Sequence, residues 1–442
     1  MITVKTSVRW FLVFWLFVLS AVSYLDRVNI SIAVGPIADA FRLTDVQLGP
    51  VFSAFSLGYA LFQTVGGRLA DRFGSRRVLT AGVLWWGVFT ALTALVPANI
   101  AGALFFFITV RFLLGAGEAI IYPAANQFIA RWIPVRERGI ANGLIFAGVG
   151  AGGGLTPYLI TFITGHFGWR FSFWVCAIIG LIAGIVWFVS ARDNPSDHPR
   201  VSPEELAAIQ SGLAEHISQS TSSKQSAEAP IPWKRIVESR EVWAVTVSYF
   251  CYGYVAWIFF TWFYRYVAKV RGLDLKASAF YSTLPFLAIL VCCLVGGFMN
   301  DRLTKWRGRR LGRCGLAAVA MALAAAFIAL GSQVQGAHLA SVVLAGGVGA
   351  LYLSQSSFWA VTVDIAGTSA GSVSGFMNMG GQLGGVLTGT LTAWIAARYG
   401  WTASFLVAAS LCLLGALCWL VVDPAKSLTR QHDVGTVDVV RS

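Results

Sequence analysis

Two pairs of charged residues stand where the chain is otherwise apolar. Arg111 and Glu118 lie in VRFLLGAGEAIIY, residues 110–122, and Asp26-Arg27 lie in SYLDRVNIS, residues 23–31. Seven residues is about two helical turns, so Arg111 and Glu118 share one helix face, and Gly115 and Tyr122 extend that stripe. A charge inside a membrane span costs roughly 2.5–3.5 kcal/mol on insertion scales. Such a face must look into protein or a wet cavity. A buried carboxylate beside an arginine can take up or release a proton as a third charge comes and goes. Arginine keeps its proton and grips carboxylates with two parallel hydrogen bonds. Two acids and two arginines therefore supply the chemistry of moving an anion together with a proton. The plainer alternative is an ion-pair network that only holds two helices together.

The elements that must position these residues are membrane helices. The chain has 442 residues, 57% of them hydrophobic and 12% charged, with a mean hydropathy of +0.69. A soluble domain would be about a quarter charged. Apolar runs near 20 residues recur, each long enough to cross ~30 Å of hydrocarbon as a helix. Twelve spans are predicted, the first six ending near residue 190 and the second six starting near residue 242. The fold class is thus an all-α polytopic membrane protein. Residues 1–190 form an N-terminal six-helix bundle and 241–424 a C-terminal one. Residues 191–240 form a cytoplasmic linker and 425–442 a polar tail. Within the linker, Ser202-Pro203-Glu204-Glu205 reads as a cap, a first-turn proline and acids against the helix dipole. A short surface helix over 203–215 follows from it.

The net charge of +13 does not mark a nucleic-acid binder. With both termini cytoplasmic, 24 Lys and Arg residues fall in inner segments, 6 in outer loops, and Arg27, Arg111 and Arg265 within spans. That asymmetry is the positive-inside pattern. The seven cysteines include no CxxC pair and lie in or beside spans. They read as small buried hydrophobes, not as a disulfide frame or a metal site. The first span carries Asp26 and Arg27 and is followed by no small-residue cleavage site, so it is no signal peptide. GVGAGGG at 148–154 fits GxGxxG, but no strand precedes it, and close helix packing is the better reading. No nucleophile–base or metal-ligand set suggests an enzyme.

An internal repeat divides the chain. Gly66-Gly67-x-x-x-Asp71-Arg72 recurs as Gly296-Gly297-x-x-x-Asp301-Arg302, each after the second span of its half. Parallel repeats suit a rocking transporter with a midplane site between the halves. Gly67, Asp71, Arg72, Arg76, Asp301 and Arg302 are read as inner-face contacts that hold one conformation.

GGRLADRFGSRR, residues 66–77, resembles the loop motif of the major facilitator superfamily. Together with SYLDRVNIS, FLLGAGEA (112–119), RWIPVRERGIANG (131–143), FFTWFYRYV (259–267) and SGFMNMGGQLGG (374–385), the chain resembles the anion:cation symporter family, which includes bacterial sugar-acid/proton symporters. The resemblance implies twelve helices in two halves and proton-coupled uptake of an organic acid anion. It places the proton on Asp26 and Glu118, the substrate carboxylate on Arg27, and Arg111 as the link between the acids. Tyr59, Ser356 and Asn378 match pocket positions. The residues themselves add Tyr24 and Gln355 as candidate hydrogen-bonding groups. A pocket position in span five that is Gln in galactonate-type members falls within Gly148–Gly150 here, which disfavours a galactonate-like polyol fit. The expected substrate is a sugar acid such as a hexonate, hexarate or hexuronate. An aromatic acid, or exchange of organic phosphate for phosphate, is the alternative. A ligand receptor without flux is a further one. No cofactor is implied beyond the proton gradient. The expected partners are a small organic anion, protons and the lipid bilayer, with no nucleic acid. The expected state is a monomer in a bacterial cytoplasmic (inner) membrane.

Overall fold

A computed structural model describes residues 7–42, 45–98, 102–217, 231–263, 266–273, 275–426 and 428. Among these residues the regular structure is entirely helical. The N-terminal half comprises α1 (Val8–Phe41), α2 (Asp45–Phe73), α3 (Ser75–Leu95), α4 (Ala103–Glu118), α5 (Ile121–Trp132), α6 (Arg138–Phe167) and α7 (Trp169–Ser190). The linker holds α8 (Pro203–Ile217) and α9 (Trp233–Glu238). The C-terminal half comprises α10 (Arg240–Thr261), α11 (Leu275–Arg307), α12 (Leu316–Gln333), α13 (Ala337–Leu353), α14 (Gln355–Ala366), α15 (Ala370–Tyr399) and α16 (Trp401–Val421). α4 with α5, and α13 with α14, are each one span broken in the middle. Each half therefore crosses six times.

Ten of the twelve crossings are long and apolar enough to span a membrane by composition alone, among the described residues. The other two are α2 and α15. They carry Gln63, Gly66, Gly67 and Arg68 in one, and Asn378, Gly380, Gly381 and Gln382 in the other. The reason is their position: they pack against each other across the two halves, so neither faces lipid alone. α6 and α11 make the second such pair. Gly148 and Gly152 of α6 approach Phe17 and Ala21 of α1, while Gly150 approaches Phe286 and Leu290 of α11. The glycine run thus lets one helix pack closely on its own half and on the opposite half.

The two halves repeat down to their turns. Gly74 and Gly308 end the second crossing of each half at φ 87° and 84°, and Gly168 and Gly400 end the fifth at 82° and 85°. Only glycine adopts that backbone at no steric cost. Both span breaks have local causes. Pro123 cannot donate to Ala119 and its ring crowds that carbonyl, and the helix pauses between Glu118 and Ile121. At Ser354 the hydroxyl donates to Leu351 O at 2.6 Å, a local bond that competes with the helix ladder.

α8 docks beneath the N-terminal half. Ile209 is fully buried. The Glu205 carboxylate accepts from the backbone amides of Val8 and Arg9 at 3.2 and 3.1 Å and from the Ser7 hydroxyl. It satisfies amides at the start of α1 that have no partner inside the helix.

Candidate functional site: a cavity between the halves

A cavity lies between the halves at the level of the two span breaks. From the N-terminal half it is lined by Tyr24, Arg27, Tyr59, Tyr122, Phe146 and Val149. From the C-terminal half the wall includes Tyr249, Tyr252, Trp257, Tyr352, Gln355 and Asn378. About 40 Å³ of it is wide enough for the centre of a water, which is room for two or three waters. A larger guest requires the walls to part.

Among the described residues, Arg27 is the only charged one in this lining. Three ring faces hold it: Tyr59 at 4.3 Å, Tyr24 at 4.7 Å and Phe55 at 5.5 Å from its guanidinium carbon. Such cation–π contacts fix the guanidinium plane and strengthen where water is excluded. Arg27 Nε and Nη2 both reach Glu118 Oε1 at 3.2 Å, and the Ser23 hydroxyl donates to the same oxygen at 2.5 Å. The other oxygen, Oε2, has no hydrogen-bond partner. Glu118 is thus held by one oxygen, while the second is open to a proton. The break after Glu118 puts this carboxylate at the end of α4, beside the cavity, and α5 resumes with Tyr122 on the cavity wall. The Tyr122 ring stacks on Phe146 at 4.8 Å and its hydroxyl pairs with Ser20 at 3.0 Å.

The four expected charges do not form one cluster. Asp26 is buried and turned away from the cavity. It accepts from Thr90 at 3.3 Å, and its Oδ1 has no partner. Arg111 stands over the Phe55 ring at 4.9 Å with its Nε unpartnered. It lies within electrostatic reach of Glu118 and Asp26, but the ion pair that Glu118 makes is with Arg27. Adjacent residues on a helix point about 100° apart, so Asp26 and Arg27 face different neighbours. The expected link through Arg111 is therefore a through-space one.

The other expected pocket residues divide. Tyr24 and Tyr59 line the cavity, each with its ring against the Arg27 guanidinium. Gln355 donates to the Tyr249 hydroxyl at 3.1 Å and leaves its Oε1 unpartnered in the cavity wall. Asn378 lines the cavity too, but its amide nitrogen is committed to Gln63 Oε1 at 2.8 Å across the halves. Ser356 is not in the wall. It is fully buried against Gly143 of α6, about 100° around the helix from Gln355. Arg265 lies outside the described residues. Sequence reasoning missed Tyr249, Tyr252, Tyr352, Trp257 and Val149. The signal was faint: Tyr249 and Tyr252 share a face at i,i+3 spacing within an already aromatic span.

Below the cavity, the repeated loop motifs close the cytoplasmic side. Asp71 accepts from the amides of Gly371 and Ser372 at 3.0 and 2.8 Å, and from the Ser372 hydroxyl. Asp301 accepts from the amides of Gly139 and Ile140 at 2.7 and 2.6 Å. Each carboxylate caps the start of a helix in the opposite half, where unpaired amides and the helix dipole favour an anion. Gly67 is required for the first contact: a Cβ there would stand 1.9 Å from Gly371 O. The second contact continues into a buried network. Arg138 pairs with Asp364 at 2.8 Å, and Arg313 pairs with Asp364 at 3.3 Å and Asp301 at 3.2 Å. Arg313 also donates to Val135 O at 2.6 Å. Three of the expected gate residues lie elsewhere. Arg72 and Arg302 are exposed, and Arg76 donates to Phe188 O within its own half at 2.8 Å. The charge that follows each Asp serves the aqueous face, not the contact between halves.

The family profile described as Major Facilitator Superfamily matches residues 16–389 and 371–436. The protein named "Probable sulfoacetate transporter SauU" from Cupriavidus necator is 35% identical over 405 residues, 91% of either chain. The "Probable galactarate/D-glucarate transporter GudP" of Bacillus subtilis is 33% identical over 309 residues, 70% of this chain and 68% of that one. The "Hexuronate transporter" of Bacillus subtilis is 27% identical over 410 residues, 92% of each. Among solved structures, the proton:xylose symporter XylE superposes with a TM-score of 0.73 at 16% identity, over 95% of this chain and 97% of that one. That likeness shows the twelve-helix fold. By sequence and fold alike, this chain is a multi-pass membrane transporter, not an enzyme, and it belongs to the Major Facilitator Superfamily.

Proposed function

We propose that the chain takes up an organic acid anion together with protons, by alternating access, across a bacterial cytoplasmic membrane. One observation carries the reading: Arg27, in the cavity wall, is already held by a carboxylate with a free oxygen. A proton on Glu118 Oε2 removes the charge that holds Arg27. The guanidinium is then free to grip a substrate carboxylate in the same place. Loss of the proton returns Arg27 to Glu118 and expels the anion. Asp26 acts as a second proton store, coupled to the first through the field of Arg111. The cytoplasmic contacts of Asp71 and Asp301 break and re-form as the halves rock. The protein works as a monomer and needs no cofactor beyond the proton gradient.

The names of the relatives support a small organic acid as cargo. Galactarate, glucarate and hexuronate make the sugar acids the first class to test. Sulfoacetate shows that the same framework is named for other small anions. The test is uptake by proteoliposomes with and without an inward proton gradient. Gradient-driven accumulation is expected. Glu118→Gln should abolish accumulation yet keep exchange of anion across the membrane at equilibrium. Accumulation that ignores the gradient, or that survives in Glu118→Gln, overturns the coupling.

A further inference from the structure

We infer, resting on the reading of Arg27 as the carboxylate site, that the transported anion is a monocarboxylate with a flat aromatic body. Polyhydroxylated acids, dicarboxylates and organic phosphates fit the cavity less well. Three observations lead there.

The first is charge. Among the described residues, Arg27 is the only charged one in the cavity lining, and none in the C-terminal wall is charged. Arg111, a buried arginine of this half, is held behind the Phe55 ring and outside the lining. With Glu118 protonated, the cavity offers one positive charge and accepts one negative charge. A second carboxylate, or a doubly charged phosphate, would be buried against neutral groups with no partner.

The second is the wall itself. Nine of the seventeen lining residues are aromatic. Rings stand on both sides of the gap: Tyr122 and Phe146 from the N-terminal half, Tyr249, Tyr252, Trp257 and Tyr352 from the other. Between them the remaining surface at Val149, Gly253 and Ala256 offers hydrocarbon or bare backbone. A stacked ring matches such walls, and a flat guest needs the smallest separation of the halves.

The third is hydrogen-bonding capacity. Several polar atoms near the cavity are already committed: Tyr122 OH to Ser20, Tyr249 OH to Gln355 and Trp359, and Asn378 Nδ2 to Gln63. At the C-terminal wall Gln355 Oε1 is left buried and unpartnered, and the half-buried Gln382 amide also lines the cavity. They suit one hydroxyl at the far end of a guest. A chain of hydroxyls would leave most of its own groups unpaired, which buried sites reject strongly.

The experiment uses the full-length purified transporter and four probes: para-hydroxybenzoate, gluconate, glucarate and glycerol phosphate. Thermal unfolding with each at equal concentration reads binding. Proteoliposome uptake with and without a proton gradient reads transport. Para-hydroxybenzoate is expected to stabilise most and to be preferred by about tenfold or more. Val149→Gln, which adds an amide to the hydrocarbon stretch, should shift preference toward gluconate. Stronger stabilisation or faster uptake of gluconate, glucarate or glycerol phosphate by the unaltered protein overturns the aromatic assignment. So does the absence of any response to para-hydroxybenzoate. Gradient-driven uptake of gluconate alone overturns the assignment and leaves proton coupling standing. Binding of para-hydroxybenzoate with gradient-independent flux supports the assignment and overturns the coupling.

Discussion

The two walls of the cavity come from repeated halves, yet they have opposite chemistry. Both are built around a span that breaks at the same level, after Glu118 in one and at Ser354 in the other. At the first break stands a carboxylate paired with Arg27. At the second stands Gln355, a neutral amide bonded to Tyr249. The repeat has preserved the backbone device and divided the chemistry. Among the described lining residues, charge is confined to the N-terminal wall. The C-terminal wall presents ring faces, hydroxyls and amides, which under the proposed function recognise a neutral body. Separating the two tasks means that the body can be varied without disturbing the charge exchange.

This division can be broken at several points. The largest effect is expected at Glu118→Gln, where gradient-driven uptake should fall on the order of 100-fold, because an uncharged side chain cannot alternate between holding and releasing Arg27. Arg27→Lys comes next. The ammonium keeps the charge but loses the paired geometry and the ring stacking, and the substrate KM should rise about 30-fold, measured as initial uptake rate against concentration. Gln355→Leu removes one hydrogen bond on the other wall. It should raise KM by about fivefold, the equivalent of roughly 1 kcal/mol, and leave the dependence on the proton gradient unchanged. A change of coupling in that variant would show that the walls are not separate in function. Ser356→Ala should do least, within about twofold in KM, since its side chain faces Gly143 and not the cavity.

The cytoplasmic contacts offer a second comparison. Asp71 and Asp301 make the same kind of cap, but only Asp301 also pairs with a buried arginine. Asp301→Ala leaves Arg313 with less compensation and should open the cytoplasmic side more than Asp71→Ala does. Removing a cap alone costs about 1 kcal/mol. Labelling of a cysteine introduced at the cytoplasmic end of α15 reports the difference, and equal labelling in the two variants would dissolve it.

The fold was legible because each feature has a strong local signal. Length and apolarity mark most crossings, and the paired GGxxxDR motifs mark the repeat. Even α2 and α15, the least apolar crossings, were placed by the motif at the end of one and the spacing of their neighbours. The acidic half of each motif was read as an inner contact, and the structure places Asp71 and Asp301 on opposing helix ends. The cavity was legible only in part. Arg27, Tyr59 and Glu118 stand out because charge and polarity are rare in spans. Gln355 and Ser356 could not be ranked, since a difference of 100° about one helix axis decides which faces inward. The same holds for Asp26 beside Arg27. Tyr249 and Tyr252 were invisible because an aromatic ring in a membrane helix is ordinary until a cavity is found beside it. Asp364 is an acid near the end of a span whose two arginine partners lie 226 and 51 residues away in the chain, and no pattern along the sequence announces them.

The contacts that join the halves have a consequence for synthesis. Asp71 meets Ser372 at a separation of 301 residues, Asn378 meets Gln63 at 315, and Arg138 meets Asp364 at 226. At roughly 5–20 residues per second, the first half waits on the order of 10–60 s before its partners exist. During that wait Asp71 and Arg138 are charges without counterparts. Both sit at the cytoplasmic end, where water can solvate them, while the link of Gln63 with Asn378 is between neutral amides. The placement of charge therefore also lets the unfinished chain rest in the bilayer until its second half arrives.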